Sequence, residues 1–138
     1  MVIIAIPSIK PGGLNGSLQF EFGRCECFTF VTVENNEIIK VTVIENTAAE
    51  EPSGAGKEAA QIINSYNAKE LIAIELGPNA SSLINSYHIK VFRGPDEETN
   101  IKDIIFLYLK GNLDEIKPDE LSRGVLNRKK KELKVNNS

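Results

Sequence analysis

Apolar positions along the chain follow two periods. Val2 to Ile6 is a short continuous apolar and mostly β-branched run that stops at Pro7, the pattern of a strand buried on both faces. Cys25 to Glu34 and Glu37 to Glu45 are two further β-rich runs joined across Asn35-Asn36. Asparagine tolerates positive φ, so this junction predicts a hairpin. Helical spacing then takes over. Ala59, Ile62, Ile63 and Tyr66 fall at i, i+3, i+4 and i+7, and the same stripe recurs in Ala80, Leu83, Ile84 and Tyr87 and in Ile101, Ile104, Ile105 and Tyr108. Pro78 suits a first helical turn, Thr99 or Asn100 can cap the third helix, and Gly111-Asn112 can end it. Leu71 to Leu76 and Ile89 to Phe92 read as strands between the helices.

The predicted order is β, β-hairpin, α, β, α, β, α. Its strand-helix-strand unit from Leu71 to Phe92 requires a right-handed parallel crossover. An α/β fold follows: a three-layer sandwich whose mixed sheet of about five strands carries helices on both faces. Ser8 to Phe20, with Pro11, Gly12, Gly13, Asn15 and Gly16, predicts a long mobile surface loop. Asn46 to Gly56 predicts a second.

The 138 residues, 41% hydrophobic, match one compact domain, which is expected over 1–116. The net charge of −3 at pH 7 is too close to balance for a dedicated nucleic-acid binder. It is unevenly spread, however. Residues 117–138 hold seven basic and three acidic side chains, a charge of +4 that leaves −7 for the body. This segment is expected to be a basic C-terminal tail, partly helical or disordered, either solvated or docking an acidic partner. Its run Arg128 to Lys131 has no interleaved aromatics for stacking on bases, so nucleic acid is a poor partner.

One histidine and two cysteines cannot supply the four Cys and His ligands of a structural zinc site. Cys25 and Cys27 lie two apart on an expected strand, roughly 6.5 Å between Cα atoms, close to the upper limit for a disulfide. Reduced thiols, no signal-peptide pattern and no apolar run near ~18 residues point to the cytoplasm and away from a membrane.

Enzymatic chemistry finds little to work with. Ser53-Gly54-Ala55-Gly56-Lys57 fails the phosphate-loop spacing, and Glu58 stands where a magnesium-binding hydroxyl would be. His88 closes a helix on the side away from the loops, so no Ser-His-Asp set assembles. Strand one carries no carboxylate for two-metal chemistry. An enzyme acting on a small anion or nucleotide would rest on the glycine-rich loops alone.

Those loops nevertheless converge. In an open α/β sheet, ligands collect beyond the carboxyl ends of parallel strands, where helix N-termini offer free N–H groups. The loops Pro7 to Arg24 and Asn46 to Lys57 and the turn Gly77-Pro78-Asn79 are expected to share one pocket there. Glu21 and Arg24 either face its ligand or form a surface ion pair. Cys25 and Cys27, on one face of their strand, either aim two sulfurs at a soft metal or are small buried core residues.

Phe22-Gly23-Arg24, Glu45-Asn46 before Ala48-Ala49, Gly54-Ala55-Gly56 with Ala59-Ala60-Gln61, and Gly77-Pro78-Asn79-Ala80 occur in this order. With Ile89 to Gly94, this series resembles the dinitrogenase iron-molybdenum cofactor biosynthesis family from strand one to Gly111-Asn112. The resemblance implies a ribonuclease-H-like fold and a protein that binds or carries a molybdenum- or iron-sulfur-containing cluster. Glu21, Phe22, Gly23, Arg24, Gly54, Ala55, Gly56, Gly77, Pro78 and Asn79 are the implied cofactor-binding positions. In one respect the chain departs from the family: Glu21 stands where His-Phe-Gly-Arg is common. A carboxylate is a harder ligand than imidazole. Cys25 and Cys27 are our candidates for the metal ligands that would compensate. The expected function is that of a non-enzymatic carrier of an iron-molybdenum or other metal-sulfur cluster, working with a cofactor donor or acceptor protein. The alternative is a cofactor-free interaction or regulatory module of the same fold that uses its basic tail.

Overall fold

The computed structural model describes residues 1–122. Six strands form one mixed sheet in the order β3-β2-β1-β4-β5-β6. They are β1 (Val2–Ser8), β2 (Cys27–Glu34), β3 (Glu37–Glu45), β4 (Glu70–Ala73), β5 (Lys90–Arg93) and β6 (Glu115–Ile116). β1, β4 and β5 run parallel, whereas β2, β3 and β6 are antiparallel to their neighbours. Helices α1 (Ala55–Ser65) and α2 (Pro78–Ser86) pack on one face and α3 (Ile101–Leu109) on the other. This is the expected three-layer α/β sandwich of ribonuclease-H-like type, with one strand more than expected.

The hairpin turns at Asn35-Asn36, both with positive φ (51° and 65°), as the short polar side chain of asparagine permits. Strand boundaries follow the partners available. The β1–β2 ladder ends at the pair Ser8 and Cys27, so Cys25 lies outside the strand that the sequence pattern assigned to it. β4 stops at Ala73, whose carbonyl accepts from Gly94 N–H at 2.9 Å, and Ile74 to Leu76 leave the ladder for the turn into α2. β6 is two residues long and exists only through its pairing with β5, which is why no periodic signal announced it.

The loop after β1, expected to be mobile on the surface, is folded back onto the domain. Leu18 and Phe22 are buried, Ser8 bridges Leu18, and Gly13 N–H donates to Thr29 Oγ1 at 3.0 Å. Its glycines permit this folding. A Cβ on Gly16 would lie 2.7 Å from the Gly12 backbone.

At the other end, residues 118–122 are helical and the chain stays packed through them. Leu121 is buried in the α1/α2 core, and Ser122 Oγ donates to the Leu76 carbonyl at 2.8 Å. The basic run Arg128 to Lys131 and the rest of 123–138 lie outside the described residues. Among the described residues, no helix is long and apolar enough to cross a membrane.

Candidate anion-binding cleft

The segment before β2, the turn after β4 and the starts of α1 and α2 frame a cleft of about 430 Å³. Its lining comes from Glu21–Arg24, Gly54–Lys57, Glu75 and Gly77–Ala80. Glu21, Phe22, Gly23, Arg24, Gly54, Ala55, Gly56, Gly77, Pro78 and Asn79, singled out from the sequence, thus lie around one opening. Of the long first loop, only its final residues reach the cleft.

The backbone explains why these segments can meet. Gly54 takes the N-cap of α1 with φ 78°, a left-handed conformation that suits glycine. Phe22 is buried against Phe28, with ring centroids 5.6 Å apart, and anchors the loop to the core. Gly23 then meets the first turn of α1 so closely that a Cβ would come within 2.8 Å of Gly56 N. Across α1, a Cβ on Gly56 would lie 3.2 Å from Ala80 Cβ at the start of α2. Small residues in series bring three backbones together.

Both helix starts lack a side-chain cap. In α1 the first helical bond runs from Glu58 N–H to Gly54 O at 3.0 Å, which leaves the N–H groups of Ala55, Gly56 and Lys57 outside the helical ladder. In α2 the first is Ser81 N–H to Gly77 O at 2.9 Å, and Pro78 has no N–H, so Asn79 and Ala80 are the corresponding donors. Two positive helix ends therefore border one space.

The charged side chains are balanced in number. Arg24 is exposed, and its Nη1 donates at 2.8 Å to the carbonyl of Ala49, a residue outside the cleft lining. Lys57 is exposed in the first turn of α1, where the helix dipole disfavours a cation unless an anion sits beside it. Glu21 and Glu75 supply two carboxylates. Lys57, Glu75 and Ala80 were missed as site residues from the sequence. The signal available for Lys57 was a lysine two residues into a helix whose N-cap is glycine.

The expected pair of thiolate ligands does not form on this surface. Cys25 and Cys27 are 0% and 1% exposed, and neither lines the cleft. Cys25 belongs to the α1/α2 core, where Asn46 Nδ2 approaches its sulfur at 3.6 Å, and the Cys27 thiol donates to the Ser8 carbonyl at 3.6 Å. Burial pushes the Cys25 thiol up to about 12 and raises that of Cys27, so both remain neutral thiols at physiological pH. Their placement follows from apolar surroundings that favour a small neutral sulfur over a charged one. His88 sits just past α2 with φ 59°, exposed, and is not a lining residue. Among the described residues, no group of three or more His, Cys, Asp or Glu side chains could hold a metal ion.

Known proteins share this architecture. An uncharacterized protein of Methanocaldococcus jannaschii is 36% identical over 100 residues, 72% of this chain and 83% of its own. The structure of the apo form of the orange protein from Desulfovibrio gigas superposes with a TM-score of 0.74 at 25% identity, over 84% of this chain and 93% of that one. The NMR structure of a Thermotoga protein provisionally assigned to NifB gives a TM-score of 0.70 at 29% identity, over 85% and 95%. The family model for the dinitrogenase iron-molybdenum cofactor matches residues 1–111, and the chain belongs to that family.

Proposed function

We propose that the cleft holds an anionic metal-sulfur cargo, of iron-molybdenum or related type, and that the protein carries it without catalysis between a donor and an acceptor protein. The observation that carries this reading is the convergence of two helix N-termini without side-chain caps on one cleft, with Arg24 and Lys57 at its edge. Free N–H groups and aligned dipoles stabilise negative charge, and a cation at each side adds to that field. At about 430 Å³ the space far exceeds the ~30 Å³ share of one water and suits a polynuclear anion.

The holding forces are hydrogen bonds and charge. Glu21 and Glu75 would face the cargo unfavourably, so the backbone donors, Arg24 and Lys57 bear the binding. The buried thiols play no part in holding it. No covalent bond is made or broken in such a cycle. The two unpaired cysteines accord with a cytoplasmic setting.

The test is an anaerobic titration with tetrathiomolybdate, a molybdenum-sulfur anion, followed by its visible absorption. The wild-type protein should bind close to one equivalent. Lys57→Glu should weaken binding about ten- to a hundredfold, the scale expected when a charge-assisted hydrogen bond gives way to a repulsion. Cys25→Ser combined with Cys27→Ser should bind like wild type wherever it is folded. No saturable uptake by wild type, or equal uptake by Lys57→Glu, would remove the reading.

A further inference from the structure

We propose that Asn46 is the positioning residue of the cleft, acting through Gly23 and Arg24 without touching the cargo; this rests on the cleft being the cargo site. Asn46 directly follows β3 and is 4% exposed. Its Oδ1 accepts from Ala48 N–H at 3.1 Å and so caps the 3-10 turn Thr47–Glu50. Its Nδ2 donates to the Gly23 carbonyl at 3.0 Å and to the Cys25 carbonyl at 2.9 Å. Those carbonyls flank Arg24 on either side.

The same turn grips Arg24 itself, because Ala49 O accepts from the Arg24 guanidinium at 2.8 Å. One short turn therefore holds residue 23 by its backbone and residue 24 by its side chain. Gly23 in turn rests against the first turn of α1, where a Cβ would meet Gly56 N at 2.8 Å. The reach of the Asn46 carboxamide thus sets how far the loop wall stands from the N–H groups of Ala55 and Gly56. A carboxamide of this length is the side chain that supplies one acceptor and two donors together. The donors define its role here, since the cap alone needs only an oxygen.

That division gives the test. Asn46→Asp and Asn46→Ser both retain an oxygen for the Ala48 cap, and both lose the two donors; the serine variant avoids setting a carboxylate against two carbonyls and serves if the aspartate variant fails to fold. Amide hydrogen exchange on unliganded protein should show the amides of residues 26 and 46, which donate to Gln19 Oε1 and the Glu26 carbonyl, opening at least tenfold faster, while amides of β1 and β4 keep their protection. Tetrathiomolybdate affinity should fall about tenfold, and this loss should largely vanish in an Arg24→Gln background, because both changes act on one interaction. Unchanged exchange at residues 26 and 46, or losses that simply add in the double variant, would overturn the proposal. Absence of tetrathiomolybdate binding by wild type would instead remove the cargo reading, and the exchange measurement alone would then decide whether Asn46 holds this loop.

Discussion

Helix α3 begins on one face of the sheet with its first two donors satisfied by the protein, while α1 and α2 begin on the other at the border of a cleft. Asn100 Oδ1 accepts from Lys102 N–H at 2.9 Å, and loop carbonyls of Gly16 and Leu14 accept from the N–H groups of Ile101 and Lys102, both at 2.9 Å. Gly54 and Gly77, the corresponding N-caps of α1 and α2, have no side chain to offer. The cores beneath differ in the same sense. α3 packs through Ile101, Ile104 and Ile105 on Ile4, Ile6, Ile72 and Ile74. Opposite, Ala59, Ala60 and Ala80 face Ala5 and Ala73 within a core that also holds larger side chains such as Phe28 and Leu71. Branched side chains keep a helix at arm's length and fill the space with packing. Alanine and glycine let backbones approach, and the backbone then lines the cleft. Both faces hold a core, and only the α1/α2 face also frames the cleft.

Removing packing from the isoleucine face should have the largest effect on stability. Ile104→Ala is expected to cost about 2–5 kcal/mol, because Ile104 is fully buried and the cavity cannot close around it. Tetrathiomolybdate affinity of the fraction that remains folded should be unchanged. Urea unfolding together with titration checks both, and an affinity loss matching the stability loss would show that the two faces are not separable.

Alkaline pH probes the opposite core. Burial raises the Cys25 thiol from about 9 to about 12 in the folded protein, so the folded state keeps a proton that the unfolded chain releases first. Stability should therefore be intact below about pH 9 and fall as pH rises toward 12, by roughly 1.4 kcal/mol per pH unit at most for this group. Cys25→Ala should flatten that limb in pH-dependent urea unfolding. On the α3 face, burial and the hydrogen bond to Glu70 raise the Tyr108 hydroxyl in the same direction from a higher starting value. A Tyr108→Phe variant should thus change only the more alkaline part of the curve.

The smallest effect tests the helix starts directly. Asn100→Ala should cost about 1 kcal/mol, within the 0.5–2 typical of a lost N-cap, and leave tetrathiomolybdate binding alone. Thermal unfolding measures the first part and titration the second. A binding loss from this change would tie α3 to the cleft and break the contrast between the faces.

Much of this was legible along the chain because it is local. Apolar and β-rich runs marked the five longer strands and stripes of period 3.6 the three helices, Asn35-Asn36 marked the hairpin, and Thr99 or Asn100 offered the third cap. Gly23 after Phe22, Gly54 and Gly56 around Ala55, and Gly77 before Pro78 singled out the three segments of the cleft, since close backbone approach leaves few other residues possible. The site's charges and ties were less legible. Lys57 looked like a remnant of a failed phosphate loop, and Asn46 like the first residue of a polar loop. Cys25 and Cys27 have the two-residue spacing of a shared strand face, yet the ladder ends between them and both sulfurs are buried.

What the sequence determined by itself was therefore the set of elements, their order and the places where backbones could touch, because these depend on conformational preferences and burial patterns within short windows. Tertiary structure decided which donors stayed open, which side chains reached the cleft, and that a carboxamide after β3 would hold the loop before β2. Those outcomes depend on contacts such as Asn46 to Gly23 and Gly23 to Gly56, which lie 23 and 33 residues apart in the chain and become neighbours only when the sheet assembles.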